Sequence, residues 1–198
     1  MKRSVMIATF ILTAAGLCCG RPSTKEAKSA KEVVEEFWKL EIQGTRLTNE
    51  GWRKADIFFL HPSAPPQKKT ISIVSGKDPC SAGERWVKGN RAEIANGCFG
   101  LGRIDDQLRY TASDSAYDKI AVVYHLVLTD KSWELEPDGI TEKQVSGPAT
   151  WRIENPEPIL WLSVDTAVRY VTKMRDKTTD PIIKRNANET LSKLMKLH

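Results

Sequence analysis

The chain has 198 residues, 40% of them apolar and 28% charged, which is the make-up of one globular domain with appendages. Its net charge of +5 is modest, and lysine and arginine are spread among glutamate and aspartate, so the composition excludes a nucleic-acid partner held on a phosphate-tracking stripe. The sequence also lacks a glycine-rich phosphate loop, a nucleophile elbow and a nucleotide fingerprint, and it implies no cofactor.

Residues 1–20 read as a bacterial export signal, with basic Lys2 and Arg3 before an apolar run shorter than the ~20 residues a membrane-spanning helix needs. The run ends in Leu17-Cys18-Cys19-Gly20, and two outcomes stay open: lipidation at Cys18 or Cys19, or cleavage after Ala15 or Gly20 with release of a soluble protein. Export places the body in the periplasm or outside the cell, in contact with a membrane only through such a lipid. Cys80 and Cys98 are the sole cysteines left in that body, and an even count in an oxidising compartment predicts a disulfide between them. His61, His125 and His198 lie far apart and form no ligand-spaced pair with a cysteine, so no metal site is expected.

Residues 21–28 read as a polar tether. Ser29 stands three residues before Glu32 as a capping box, and Val33, Val34, Phe37, Trp38 and Ile42 recur behind it at helical spacing. Thr48 caps a second helix whose Trp52, Ala55 and Phe59 share a face until His61-Pro62 stops it. Residues 70–75 (TISIVS) alternate as a short strand, and 76–89 read as a loop with one helical turn around 84–87. Residues 91–95 and 98–104 then read as a broken or hairpin-connected strand pair turning at Asn96-Gly97. The adjacent Asp105 and Asp106 read as a solvated turn rather than an acid pair, since neighbours on a strand face opposite ways.

Residues 119–129 (KIAVVYHLVLT) carry apolar side chains on both parities, a strand that needs cover on two faces, with His125 read as a satisfied core residue. A turn at Pro137-Asp138-Gly139 leads to a strand over 149–154, which Pro156 and Pro158 end. Ser163 opens a helix with Val164, Ala167, Val168, Val171 and Met174 on one face. Asp180-Pro181 opens another with Ile183, Ala187, Leu191 and Leu194. This C-terminal pair is the available cover for the second face of 119–129, and a second copy of the chain is the competing one.

The order of helix pair, short strand, variable segment and long antiparallel strands, together with GTRLTNEGWRKADIFF at 44–59, resembles the nuclear transport factor 2-like fold, also called cystatin-like. That group includes ketosteroid isomerases and SnoaL-type polyketide cyclases. The resemblance covers 29–154 and implies an α+β fold in which a curved antiparallel sheet and the N-terminal helix pair enclose a cone. The division is then 1–20 signal, 21–28 tether, 29–162 domain and 163–198 helical extension packed on it.

Such cones bind small molecules, so Trp38, Glu41, Trp52 and Tyr124 are the ligand-binding candidates. The expected function is a non-enzymatic exported domain that binds a small molecule or an envelope protein, with a homodimer as a further option. One alternative is an isomerase, cyclase or hydrolase whose base is a buried Asp56, Asp105 or Glu41 beside His125 or Tyr124. The isomerases' aspartate and tyrosine have no matching motif here, so no catalytic residue is assigned. The second alternative is a structural surface protein that assembles through a sheet face.

Overall fold

The computed structural model describes residues 27–62, 70–75, 80–113, 119–136, 141–154 and 159–197. The signal, Cys18, Cys19, His198 and the turn at 137–139 lie outside them. Among the described residues no helix is long and apolar enough to cross a membrane.

The fold is α+β. Helix α1 (Ala30–Glu41) starts at the capping box: the Ser29 side chain accepts from Glu32 N, and the Glu32 carboxylate accepts from Ser29 N at 2.7 Å. Helix α2 (Asn49–Ala55) is capped by Thr48, whose hydroxyl accepts from Gly51 N, and it tightens into a 3₁₀ turn over Asp56–Phe58. Strands β1 (Ile71–Val74), β2 (Ser81–Lys88), β3 (Arg91–Ile104), β4 (Tyr110–Ala112), β5 (Lys119–Leu135), β6 (Glu142–Ile153) and β7 (Leu160–Ser163) form one sheet, and helices α3 (Val164–Lys177) and α4 (Pro181–Leu194) close the chain. Ser163 and Asp180 cap the last two helices through their side chains, with Pro181 in the first turn of α4.

The path across the sheet is β6-β5-β3-β1-β7, with β2 and β4 also paired to β3. Every pairing is antiparallel except β1 with β7, so the sheet is mixed rather than antiparallel throughout. The region expected to be a loop at 81–88 is strand β2, and Asn96-Gly97 lies inside one continuous strand. The hairpin turns instead at Gly89-Asn90, between the paired Lys88 and Arg91, where Gly89 takes φ 56° as a two-residue loop requires. Cys80 and Cys98 are disulfide-bonded, their Cα atoms 4.4 Å apart.

Two apolar clusters hold the fold. In the first, α1 sets Val34, Phe37 and Trp38 against Ile94 of β3, Tyr124 and Leu126 of β5 and Ile153 of β6. Phe37 is its hub, with ring centroids 5.8, 5.3 and 6.0 Å from Phe58, Phe59 and Tyr124. In the second, Ile71 and Ile73 of β1 and Leu160 and Leu162 of β7 meet Val171 of α3 and Leu191 of α4. Val74 and Trp161 belong to the first cluster, so β1 and β7 are the strands buried on both faces. Strand β5 is not: Val122, Tyr124 and Leu126 are buried, whereas Ala121, Val123 and His125 stand exposed on the reverse face.

Candidate functional site

The last two turns of α1 carry Glu35, Trp38, Lys39 and Ile42 on the side that faces the start of β2 and the middle of β3. These residues, with Cys80 and Asn96, line a pocket of about 310 Å³ between α1 and the sheet. Trp38 is 4% exposed and packs its ring 5.6 Å from that of Trp161. Its indole N–H is buried and finds no hydrogen-bond partner among the described residues. Asn96 is 1% exposed, and its amide nitrogen lies 3.7 Å from Cys98 Sγ, a weak acceptor. Trp38 and Asn96 thus line the pocket beside the apolar Ile42 and the disulfide, with Glu35 and Lys39 also in its wall. That chemistry suits a small molecule presenting an acceptor oxygen on a compact apolar body.

Of the four ligand-binding candidates, Trp38 alone lines this pocket. Glu41 is buried and bound to Arg46, each side chain 1% exposed. Arg46 Nε donates to Glu41 Oε2 and its Nη2 to Glu41 Oε1, both at 2.8 Å, and Nη2 also reaches Ile159 O at 3.1 Å. Glu41 Oε1 accepts from Trp161 N at 3.0 Å, so the pair ties the end of α1 to β7. The guanidinium lies over the rings of Trp52, 4.7 Å from the centroid, and Phe37, at 5.4 Å. Trp52 packs in the second cluster and Tyr124 in the first, so they do not share a cavity.

The carboxylates and histidines weighed for acid–base work are also apart. Asp56 lies in the wall of a separate groove beside the β5–β6 arm. Asp105 Oδ1 accepts from Gln107 N and Arg109 N, and its Oδ2 from Arg109 Nε at 2.8 Å. Burial works against its charge, but those donors and the Arg109 guanidinium hold its carboxyl below the usual range. Asp106 is exposed in the same turn. His125 is not a core residue: it stands on the exposed face of β5, its Nδ1 3.7 Å from Glu93 Oε2. His61 stacks on Trp133, and the described residues hold no group of three or more metal-ligating side chains.

Asn96 was missed because an Asn-Gly pair is the strongest short turn signal, and only its pairing on both sides of β3 makes it a strand residue. Lys39 and Ile42 were visible only as helix residues. No protein-family model, curated protein or solved structure matches the chain.

Proposed function

We propose that the protein is an exported, non-enzymatic binding domain with a nuclear transport factor 2-like arrangement, and that its ligand sits between α1 and the sheet at Trp38 and Asn96. The observation that carries this reading is the buried, unpartnered indole N–H of Trp38 in the wall of that pocket. An unsatisfied buried donor costs about 1–3 kcal/mol, which an acceptor oxygen from a ligand relieves. The Cys80–Cys98 disulfide supports an oxidising compartment.

The test is native mass spectrometry of the purified body for a retained ligand, followed by Trp38→Phe, which keeps the ring and removes the N–H. The ligand, or a carboxylate probe such as benzoate, should bind about fivefold or more weakly to the variant. Equal retention by Trp38→Phe and the natural protein would remove the basis for the reading.

The second reading, assembly through the sheet face, has its own observation in Val123, 36% exposed, and Trp86, which stands exposed on β2. Light scattering at rising protein concentration decides it: a mass that stays monomeric rejects it.

A further inference from the structure

The β5–β6 arm and the 3₁₀ turn after α2 enclose a groove of about 400 Å³ that the reading above does not use. Its frame is set by backbone hydrogen bonds, since Leu60 N donates to Ile153 O at 2.8 Å and Trp133 N to Leu60 O at 3.1 Å. The Trp133 ring is further held by stacking on His61, whose Nδ1 lies 3.3 Å from Glu142 Oε2. The groove thus exists before any ligand arrives, which lowers the ordering penalty of binding.

One wall is apolar, made by Trp133, Leu135 and Ile57, the last 65% exposed despite its size. The charged side chains are Arg152 and Arg53 against Asp56, Glu134 and Glu136. Arg152 is half-buried, yet its guanidinium makes no hydrogen bond or ion pair with a described residue. Burial lowers its pKa, and the nearby charge of Glu134 offsets this only in part. A half-buried guanidinium that feels the charge of Glu134 but makes no hydrogen bond to it keeps donors open to a carboxylate or phosphate. The carboxylates around it disfavour a dianion, and a neutral amphiphile would leave Arg152 unpaired.

We infer that this groove binds a zwitterionic ligand of amino-acid or peptide-terminus type, its carboxylate on Arg152, its ammonium group toward Glu134 and Glu136, and its apolar side chain on Trp133 and Leu135. The assignment is independent of the pocket at Trp38.

Isothermal titration calorimetry of the natural protein with glycyl-leucine, its C-terminal amide and its N-acetyl derivative tests it. The parent dipeptide should bind saturably, and each blocked derivative about tenfold or more weakly. Arg152→Gln should bind the parent and the amide alike. Absence of saturable binding up to about 10 mM glycyl-leucine, or an amide that binds the natural protein as tightly as the parent, would overturn the inference. The comparison of the three probes needs no variant, so it stands even where Arg152→Gln fails to fold.

Discussion

Arg46→Met tests how the end of α1 is fastened to β7. The substitution keeps an apolar stem over Trp52 and Phe37 but removes two 2.8 Å hydrogen bonds to Glu41 and the bond to Ile159 O. Glu41, 1% exposed, would then hold a carboxylate with the Trp161 N–H as its remaining donor among the contacts described. Breaking a buried pair from one side costs about 3–5 kcal/mol, a large part of the ~5–15 kcal/mol that stabilises a typical domain. For a chain of this size that corresponds to a fall of about 6–20 °C in Tm. The double variant Glu41→Gln/Arg46→Met removes both charges and keeps an acceptor for Trp161 N, so it should cost only about 1–2 kcal/mol. Urea unfolding of the natural protein, both single variants and the double variant gives the coupling directly. An Arg46→Met loss below about 1 kcal/mol, or a double variant that costs the sum of the singles, would refute the account.

Four further outcomes are expected. Cys80→Ser/Cys98→Ser should cost about 3 kcal/mol by chemical denaturation, and thiol titration of the unfolded, unreduced natural body should find neither cysteine free. Thr190→Val should cost about 1–3 kcal/mol in a thermal melt, because the buried hydroxyl donates to Leu108 O at 2.7 Å and accepts from Tyr110 N at 3.0 Å, joining α4 to the turn before β4. Asp105 has its folded pKa depressed, so its stabilisation is present above the ordinary value of ~3.9 and is lost as pH falls through the folded value; urea midpoints of the natural protein and Asp105→Asn should therefore converge from about pH 6 to pH 2. Gly51→Ala should destabilise by about 1–3 kcal/mol although alanine is the better helix former, because the added Cβ would fall 1.7 Å from Thr45 O; a higher Tm would show that the segment before α2 yields freely.

Helix starts were the most legible part of the sequence, because a cap is a local device. Ser29 with Glu32, Thr48, Ser163 and Asp180 with Pro181 each satisfy exposed N–H groups within one turn, so residue type and spacing suffice. Strand β2 and the continuity of β3 across Asn96-Gly97 were illegible for the opposite reason. Gly83 and Asn96-Gly97 read locally as breakers, but β3 is paired along both edges, with β2 on one of them, and those partners fix the backbone. Gly102 also has a positive use, since a Cβ there would come 2.4 Å from Thr111 O and 2.6 Å from the Tyr110 ring. Strand β7 was lost to its length, four residues with no alternation, which only the parallel partner β1 turns into a strand. At the candidate site Trp38 was legible as an aromatic on α1. Asn96 was not, because only its pairing on both sides of β3 makes it a buried strand residue.

The placement of α3 and α4 follows from which strand had more apolar surface to lose from water. Both parities of β5 are apolar in part, but its reverse face offers Ala121, Val123, His125 and Val127, small or polar side chains for the most part. Strands β1 and β7 present Ile71, Ile73, Leu160 and Leu162, and Ile104 of β3 stands beside them. At about 1.5–3 kcal/mol per large aliphatic side chain buried, the second surface repays the ordering of two helices better than the first. The reverse face left open is crossed by charge: Glu93 lies 2.9 Å from Arg85 and 3.7 Å from His125, and Arg91 lies 2.7 Å from Glu154. Those exposed pairs add little stability, but a helix laid across them would have to strip their water. The same balance therefore draws the C-terminal helices to β1 and β7 and keeps the outer side of β5 in solvent.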